Sequence, residues 1–583
     1  MYILGINAAY HDPAACLVKD GKVVAAAEEE RFTHVKHGKR PVPFTAYQLP
    51  YHAIAYCLDQ GGIDLAALDH VAYSYDPYIL LGPNAGRRQI ALPLQPSAEA
   101  IPEDGTSPWD PLFLSYIVNA PRQLADGAPF HIQAKFANSQ KNGKFRHRWH
   151  FVEHHAAHAA SAYLPSPFEE AAVLTLDGRG EQATTSYHHG SGLHIEKLAQ
   201  VNMPHSLGIL YERVTEHLGF LHSSDEYKVM ALASFGKPAF LKEFLDLIRL
   251  REDGQFTLGP LHLEERFGPK RKRKNPFTQR HYDIAYSLQK ALEETVLELA
   301  TWLHLQTGSQ NLCLSGGVAL NCVLNARLRD QGPFTNIWVQ PAAGDAGTAL
   351  GAALWVDIRE GTPKGRNYRM DHVFLGPGYD EQEIETCLRW AKIPYRRLQN
   401  IEEETSNLLV DDKIIGWYQG RLEFGPRALG ARSILASPIH AEMQERLNDI
   451  KDREDFRPVA PVVLEEEAGQ WFEKATASPF MLFVFPVAPD KADRIPAVRH
   501  VDGTARIQTI NRRQNPLYYD LVQAFFRKTG VPVLVNTSFN TRGKPIVCTP
   551  RDALECFWTS PLDALVIGPF LVEKSTPGGG QKS

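Results

Sequence analysis

Residues 311–321 read Asn-Leu-Cys-Leu-Ser-Gly-Gly-Val-Ala-Leu-Asn, a short apolar run that passes directly into two glycines. The same order returns after the apolar residues 337–339, as Pro-Ala-Ala-Gly-Asp-Ala-Gly-Thr at 341–348, followed by an alanine-rich segment. Each stretch predicts a buried strand, a glycine turn and then a helix. A strand–turn–helix unit that occurs twice is typical of α/β architecture, which is the fold class that we predict.

The amino-terminal part of the chain follows another pattern, in which a strand, a polar turn and a returning strand succeed one another. Apolar runs at 2–6, 14–18 and 23–27 predict three strands, and the last two are joined through Asp20-Gly21, a pair typical of tight hairpin turns. Residues 171–187 repeat the arrangement around a second Asp-Gly pair. The likeness suggests an internal duplication.

The chain has 583 residues, more than one hydrophobic core supports, so at least two domains are expected. The Gly/Pro/Asp-rich stretch 360–380 is the best boundary. We predict an N-terminal domain over 1–368, a C-terminal α/β domain over 369–575 and a disordered tail at 576–583. Residues 78–145, rich in Pro, Gly and Asn, have the character of a long insertion with a few helices.

Composition argues against several classes of partner. The net charge of -5 provides no basic field for nucleic acid, and no stretch approaches the roughly 18 apolar residues of a membrane span. Seven scattered cysteines without a Cys-x-x-Cys pair are typical of reduced thiols in a cytoplasmic protein. The basic run 270–274 favours a solvated loop over a polyanion site, because one short run offers few phosphate contacts. We therefore expect a cytoplasmic protein with neither nucleic acid nor a membrane as partner.

Two histidines on a helix-favouring, alanine-rich segment are candidate metal ligands. His154 and His158 are four residues apart and share one helix face, whereas His155 points elsewhere. Asp177 ends a buried strand and Asp345 lies in the second glycine turn. Two histidines with one or two carboxylates suit iron, manganese or zinc, although a His-rich helix that merely packs would show the same pattern.

Several other residues suggest chemistry more weakly. His11 lies in a loop after the first strand, where it could accept a proton from a hydroxyl group or be an ordinary loop histidine. Gly316 and Gly317 can present backbone N–H groups to an anion, and no P-loop motif occurs in the chain. The charged run 28–32, with Lys36-His37 beyond it, is typical of a solvated helix start.

The C-terminal half is rich in arginine among glycine and proline, which rules out a simple solvated helix face. Arginine forks suit phosphate and carboxylate oxygens, so the pattern predicts a site for a small anion and a nucleotide. The basic residues of this pattern are Arg421, Arg427, Arg432, Lys451, Arg453, Arg457 and Arg506, and Asn536 closes a strand.

With these motifs in view, the sequence closely resembles the NodU/CmcH family of O-carbamoyltransferases over nearly its whole length. The motifs that carry the resemblance are Tyr-His-Asp-Pro-Ala-Ala at 10–15, Glu-Glu-Glu-Arg-Phe-Thr at 28–33, and those at 154–158, 314–321, 344–347, 423–433, 451–458 and 536–540. The resemblance implies an N-terminal domain of the actin/sugar-kinase type, like the threonylcarbamoyl transferases, and a C-terminal YrdC-like domain.

The resemblance also implies a reaction. The C-terminal domain would form carbamoyl adenylate from carbamoyl phosphate and ATP with Mg²⁺, and the N-terminal domain would pass the carbamoyl group to a hydroxyl of a small molecule. His11 would be the general base and Lys36 an anion contact. One mononuclear metal, Fe²⁺ by preference, would bind to His154, His158, Asp177 and Asp345. The adenylate-forming site would be lined by Arg427, Arg432, Lys451, Arg457, Arg506 and Asn536.

Other interpretations are a threonylcarbamoyl enzyme that modifies tRNA and a nucleotide-binding scaffold without transferase activity. The absence of a basic surface counts against the first, and the arginine-rich C-terminal half counts against the second. The acceptor stays open among antibiotic, toxin, sugar and lipo-oligosaccharide hydroxyls, and a homodimer stays open as the assembly.

Overall fold

The computed structural model describes residues 1–38, 48–82, 110–126, 147–362 and 365–574. The chain divides into two compact units, Met1–Met370 and Asp371–Ser583. The predicted tail at 576–583 and much of the predicted insertion at 78–145 lie outside the described residues. None of the described helices is both long enough and apolar enough to cross a lipid bilayer.

The first unit begins with a five-stranded mixed sheet of order β3-β2-β1-β4-β5. Its strands are β1 (Tyr2–Asn7), β2 (Ala14–Lys19), β3 (Lys22–Glu28), β4 (His70–Tyr73) and β5 (Arg148–Phe151). The first three form an antiparallel meander, and β4 and β5 continue parallel to β1. Asp20 and Gly21, both at positive φ, make the predicted hairpin turn between β2 and β3.

A second sheet of the same unit has the equivalent order, β12-β11-β6-β7-β8. Its strands are β6 (Glu170–Leu176), β7 (Ala183–Ser191), β8 (His194–Asn202), β11 (Asn311–Ser315) and β12 (Asn336–Val339), and a separate hairpin pairs β9 (Ile248–Leu250) with β10 (Phe256–Leu258). Again three strands form an antiparallel meander and two continue parallel to its first strand. This repeated strand order agrees with the internal duplication that the sequence predicts and with the predicted actin/sugar-kinase-like class.

Helices of the first unit pack around these sheets. They are α1 (Glu30–Thr33), α2 (Tyr51–Gly61), α3 (Tyr78–Leu81), α4 (Asp110–Val118), α5 (Ala120–Asp126), α6 (His154–Tyr163), α7 (Leu207–His217), α8 (Glu226–Ala233), α9 (Leu241–Leu247), α10 (Leu263–Phe267), α11 (Gln279–Thr307), α12 (Cys322–Gln331) and α13 (Ala346–Glu360).

Helix α13 packs against both β1 and α6, and small residues permit this close approach. A Cβ atom at Gly5 of β1 would lie 1.9 Å from the carbonyl oxygen of Ala349, and one at Gly351 would lie 1.8 Å from that of Ala157. Any larger side chain at these two positions would force the elements apart. The start of α13 is thereby held beside the start of α6 and the end of β1.

The second unit is built on an eight-stranded mixed sheet of order β13-β22-β21-β14-β15-β20-β16-β19. Its strands are β13 (Arg396–Arg397), β14 (Ile415–Tyr418), β15 (Arg432–Ala436), β16 (Ala460–Leu464), β19 (Gln508–Ile510), β20 (Val533–Ser538), β21 (Ala564–Ile567) and β22 (Phe570–Glu573), and β17 (Val484–Pro486) pairs with β18 (Thr504–Arg506) apart from it. The helices are α14 (Glu381–Trp390), α15 (Ile401–Val410), α16 (Glu442–Ile450), α17 (Ala468–Trp471), α18 (Pro516–Thr529) and α19 (Pro550–Trp558). This α/β unit agrees with the predicted YrdC-like class.

The charged run at 28–32 differs from its predicted solvated state. In the run 28–32, Glu28 and Arg31 are buried, and the Arg31 guanidinium donates to Glu28 at 3.1 Å and to Glu30 at 2.7 Å. Glu29 accepts hydrogen bonds from the backbone N–H groups at the start of α2. The prediction of a solvated helix start is wrong, because these charges neutralise one another inside the fold.

The basic run 270–274 is exposed, as predicted, except at Arg271. The Arg271 guanidinium is buried, lies 3.9 Å from the centre of the Phe277 ring and donates to backbone carbonyls that include those of Leu218 and Asn275. Arginine can be buried in this way because its planar fork satisfies several carbonyls at once and stacks on an aromatic ring. Arg271 therefore stabilises the loop and is not part of an anion site.

Candidate active site and metal centre

The candidate site of the first unit forms where parallel strands of the two sheets end. His11 follows β1, Asp177 follows β6, the glycine turn follows β11 and Asp345 follows β12. Carboxyl ends of parallel strands meet at one edge of a sheet, where loops can converge on a ligand. The packing of α13 and α6 adds the two helical histidines to this edge.

His154 and His158 extend from the first turn and second turn of α6 on the same face, with ring centres 4.7 Å apart. The Nε2 atom of His154 is 3.7 Å from Asp177 and 3.6 Å from Asp345, and that of His158 is 3.9 Å and 3.7 Å from the same carboxylates. One ligand atom from each of the four residues lies within 4.8 Å of the others. The structure therefore brings together all four residues predicted as metal ligands.

The atoms that face one another in this cluster lack hydrogen-bond partners. The Nε2 atoms of both histidines and both carboxylate oxygens of Asp345 are buried and unpaired, and the four residues are at most 6% exposed. Leaving such atoms without partners is unfavourable, and the separations are too long for direct hydrogen bonds. Two imidazoles and two carboxylates around a common point fit a borderline divalent metal.

The second nitrogen of His154 shows how that ring is oriented, and the pKa shifts of the cluster show its charge preference. Nδ1 of His154 lies 3.0 Å from the carbonyl oxygen of Ser74, which leaves Nε2 to face the carboxylates. Burial acts to lower the pKa of His154, but the nearby carboxylates of Asp177 and Asp345 outweigh it and hold the pKa well above its usual range. For Asp177, burial raises the pKa while the histidines lower it more strongly. The cluster is thus a strongly cation-attracting site.

His155 is placed away from this cluster, as its helix position predicts. Its Nδ1 atom lies 3.0 Å from the hydroxyl of Ser186 on β7. Burial and the neighbouring His158 hold the pKa of His155 well below its usual range, so this ring is a neutral packing group.

The loop after β1 places His11 at the edge of the cluster. Nδ1 of His11 is 2.9 Å from Asp12 and 3.7 Å from Asp345. Tyr10 and Asp12 on either side both have positive φ, at 55° and 49°. Left-handed backbone is unfavourable for residues with a Cβ and persists where surrounding contacts impose it, which is common in functional loops.

Three residues that sequence reasoning missed hold this region together. The buried side chain of Asn7 donates to the carbonyls of His11 and Asp12, each at 3.0 Å, and Ser74 donates its hydroxyl hydrogen bond to Asn7. Glu181 accepts from the N–H of His154, and burial raises the pKa of Glu181 to about 7. Their positions in the sequence could have indicated two of them. Asn7 ends β1, and Glu181 ends the Asp-Gly-Arg-Gly-Glu sequence that begins with Asp177.

The N–H donors of the glycine turn make contacts within the protein, whereas Lys36 stays a predicted anion contact. The N–H of Gly316 donates to Ala343, and that of Gly317 donates to the carboxylate of Asp177 at 2.8 Å. Both donors are therefore engaged within the protein, and Gly317 orients a candidate metal ligand. Lys36 lies partly exposed in a short 3₁₀ helix beside His37.

In the second unit, Arg432 is fully buried on β15 and does not join an anion site. Its guanidinium donates to the carbonyls of Gln419, Ala431, Pro377 and Gly420 and lies 3.6 Å from the centre of the Tyr418 ring. The interpretation of Arg432 as an anion ligand needs correction, because both terminal nitrogens of its guanidinium already donate to backbone carbonyl oxygens. The sequence shows that an arginine is present, but it does not show whether backbone carbonyls already accept the hydrogen bonds of its guanidinium.

The loop that carries Arg427 is held from inside by Glu423. The buried Glu423 carboxylate accepts from the N–H groups of Leu429, Ala431 and Arg432 at 2.8, 2.8 and 3.2 Å. Arg427 itself is half-buried. The Nδ2 group of Asn536 on β20 donates to the carbonyl of Ala428 and to Gln508, so this loop is attached to the centre of the sheet.

The segments that carry Lys451 and Arg506 both make hydrogen bonds to β20. The Lys451 ammonium contacts the backbone and side-chain oxygens of Ser538 and Asn540, at and beyond the end of β20. Arg506 ends β18, two residues before Gln508, and its buried Nε atom has no hydrogen-bond partner. Hydrogen bonds thus connect the segments that carry Arg427, Lys451, Asn536 and Arg506.

Comparison with known proteins identifies the family. A family model described as the carbamoyltransferase N-terminus matches residues 2–81 and 128–354, and one described as the carbamoyltransferase C-terminus matches residues 406–574. The chain belongs to the carbamoyltransferase family. The prediction of an enzyme that transfers carbamoyl groups, made from its motifs, is therefore confirmed. In this carbamoyltransferase, the N-terminus model matches residues of the first compact unit and the C-terminus model matches residues of the second.

Full-length relatives and one solved structure complete the comparison. The carbamoyltransferase is 40% identical to an uncharacterized protein of Synechocystis, over 98% of this chain and 97% of the other. It is 39% identical to nodulation protein NolNO of Sinorhizobium fredii, over 98% of this chain and 80% of NolNO. A phosphate- and nucleotide-bound HypF structure aligns at 14% identity and a TM-score of 0.32, over 62% of this chain and 56% of that one. A likeness at that TM-score carries no weight for function.

Proposed function

We propose that the chain is an ATP-dependent O-carbamoyltransferase that works in two half-reactions. In the first, carbamoyl phosphate, water and ATP with Mg²⁺ yield carbamoyl adenylate, phosphate and pyrophosphate. In the second, the oxygen of a hydroxyl on a small molecule, such as a natural product or sugar, attacks the carbamoyl carbon. The bond between that carbon and the phosphate oxygen of AMP breaks, and a carbamate ester and AMP are released.

The observation that carries the proposal is the contact of His11 with the buried four-residue cluster. His11 lies 3.7 Å from Asp345, whose facing oxygens have no hydrogen-bond partner. A general base beside a cation site suits an acyl transfer in which a hydroxyl loses its proton while a phosphate leaves. In this assignment, His11 takes the hydroxyl proton during the attack.

The two half-reactions are assigned to separate units. His154, His158, Asp177 and Asp345 would hold a divalent metal, with Fe²⁺ preferred, that supplies positive charge for the phosphate of the leaving AMP. Arg427, Lys451, Arg457, Arg506 and Asn536 of the second unit would bind the anions of the first half-reaction. Arginine and lysine around phosphate groups stabilise the charge that develops there.

The assay for this function combines pyrophosphate detection with mass spectrometry. Purified protein with ATP, Mg²⁺ and carbamoyl phosphate should release pyrophosphate, and a panel of aminoglycosides, oligosaccharides and simple sugars should contain a compound that gains one carbamoyl group. Threonine with bicarbonate replaces carbamoyl phosphate in the parallel reaction. Pyrophosphate release only with threonine and bicarbonate would favour the threonylcarbamoyl alternative, and release with neither donor would favour a scaffold.

A prediction for the second unit concerns Arg457 and Arg506. Arg457→Ala and Arg506→Ala should each lower pyrophosphate release by about 10²-fold, the usual effect of removing one donor to a developing charge. Arg457 is partly buried, and its guanidinium lies 3.7 Å from the carboxylate of Glu454. Pyrophosphate release at saturating ATP is the measurement.

Exposed Arg499 provides the matched control, since Arg499→Ala removes the same charge from the same unit. Its pyrophosphate release should equal that of the wild type, and all three variants should retain the metal content of the wild type. Normal release by both Arg457→Ala and Arg506→Ala would rule out their place in this site.

A further inference from the structure

A chain of polar contacts extends from His11 away from the metal cluster. One oxygen of Asp12 lies 2.9 Å from Nδ1 of His11, and the other lies 2.9 Å from Nδ1 of His37. The carboxylate is therefore held between two imidazoles. No residue other than His11 in this group has a role in the reaction as proposed above.

The neighbouring segment fixes His37 in turn. The backbone N–H of His37 donates to Glu30 at 2.7 Å, and the other oxygen of Glu30 accepts from the buried guanidinium of Arg31 at 2.7 Å. The Asp12 N–H also donates to the carbonyl of His37, at 3.1 Å. Two backbone-directed hydrogen bonds and a buried ion pair thus attach the Asp12 loop to α1 and the turn after it.

The contact between Asp12 and His11 determines which nitrogen of His11 is basic. An ionised carboxylate only accepts hydrogen bonds, so the Nδ1 atom at 2.9 Å must carry the proton and the lone pair is on Nε2. Asp345 lies farther from the same nitrogen, at 3.7 Å, and is also a carboxylate. Both carboxylates therefore favour the tautomer of His11 that carries its proton on Nδ1.

The backbone explains how adjacent residues make this contact. Side chains of consecutive residues in an extended chain point to opposite sides, but positive φ at Tyr10 and Asp12 folds the loop back on itself. In this strained conformation the side chains of His11 and Asp12 lie within hydrogen-bond distance of each other. This arrangement serves orientation, since a loop histidine that only packed would not need it.

We propose that Asp12 is the positioning residue of the general base, and that His37 holds Asp12 in place. Asp12 keeps the proton of His11 on Nδ1 and presents Nε2 to the acceptor hydroxyl. When the hydroxyl oxygen bonds to the carbamoyl carbon, its proton moves to Nε2, and Asp12 stabilises the imidazolium that results. The inference deepens the proposed function and rests on it for the identity of the reaction.

A chemical probe tests the orientation of His11 without any acceptor. Diethyl pyrocarbonate modifies unprotonated imidazole nitrogens, and peptide mass spectrometry follows the modification of each histidine. At about pH 8, above the ordinary histidine pKa, His11 of Asp12→Asn should be modified about tenfold more slowly than that of the wild type, because the amide can donate to Nδ1 and place the proton on Nε2. Exposed His194 should react equally in both proteins. Equal rates at His11 would overturn the positioning role.

Kinetics with the acceptor identified in the carbamoylation screen supply the second test. Asp12→Asn should lower kcat of transfer by about 10²-fold with little change in KM for the acceptor, and pyrophosphate release should stay normal. In a His11→Ala background, the same substitution should have no further effect, because Asp12 acts only through that ring. An additive effect in the double variant would show that Asp12 acts elsewhere.

Asp411→Asn, which removes an exposed carboxylate of the second unit, is the matched charge control and should behave as the wild type. If the wild type carbamoylates no acceptor in the panel and releases no pyrophosphate, the proposed function fails. The rate of modification at His11 still accepts or rejects the positioning role in that case.

Discussion

His11→Ala should lower carbamoyl transfer by about 10²–10⁴-fold while pyrophosphate release from ATP and carbamoyl phosphate continues. The expected size is that of a lost general base. The structure places His11 in the first unit, at the end of β1 and 3.7 Å from Asp345, whereas the candidate anion ligands lie in the second unit. Removal of the base should therefore affect only the step in which a hydroxyl loses its proton.

The measurement compares carbamoylated product with pyrophosphate in the same reaction. His194→Ala, a substitution of an exposed histidine on β8, is the control and should leave both rates unchanged. Loss of pyrophosphate release in His11→Ala would contradict the division of labour between the units. A variant that makes product at the wild-type rate would remove His11 from the mechanism.

The second large effect concerns the metal. Wild-type protein purified without oxygen should contain about one divalent metal ion per chain, and His158→Ala and Asp345→Asn should each contain close to none, because either change removes a ligand from a four-ligand site. Transfer should fall with the metal, since the charge on the leaving phosphate would then lack its counter-charge. Asp345→Asn keeps the shape of the side chain and so isolates the charge.

Elemental analysis gives both the stoichiometry and the identity of the metal, with iron expected ahead of manganese and zinc. His189→Ala is the control, because His189 is partly exposed on β7 and pairs with Glu170 outside the cluster. Both ligand variants should still show cooperative thermal unfolding. Full occupancy in either variant, or a wild type without stoichiometric metal, would show that these four residues only shape the pocket.

Local patterns in the sequence were sufficient for several features. The spacing of His154 and His158 predicts a shared helix face, and the structure places both rings on one side of α6. The Asp20-Gly21 turn and the strand–turn–helix segments are also found where predicted. Such features depend on neighbours within about one helical turn or one hairpin, where backbone geometry and side-chain periodicity are determined locally.

Burial of charged groups was not predictable in the same way. Arg432 and Arg271 occur in segments that suggest anion binding or solvation, yet both are buried. Their guanidinium groups donate to backbone carbonyls that include ones 55 and 53 residues away in sequence, respectively. The N–H of Gly317 is likewise occupied by Asp177, which is 140 residues away in sequence. Tertiary packing determines which hydrogen-bond partner a buried polar group has, and the spacing of residues in the sequence does not predict that partner.

The sequence by itself determined the α/β class, the repeated strand–turn–strand pattern and the identity of the four metal-ligand candidates, because each follows from short-range patterns or family motifs. Only the tertiary structure decided that His154, His158, Asp177 and Asp345 meet within 4.8 Å, and that Asp12 holds His11 beside them. Those contacts depend on the register of β1 and β6 and on the close packing of α13 against β1 and α6. These contacts join residues that are distant in sequence, and they form only when the sheets and helices pack closely against one another.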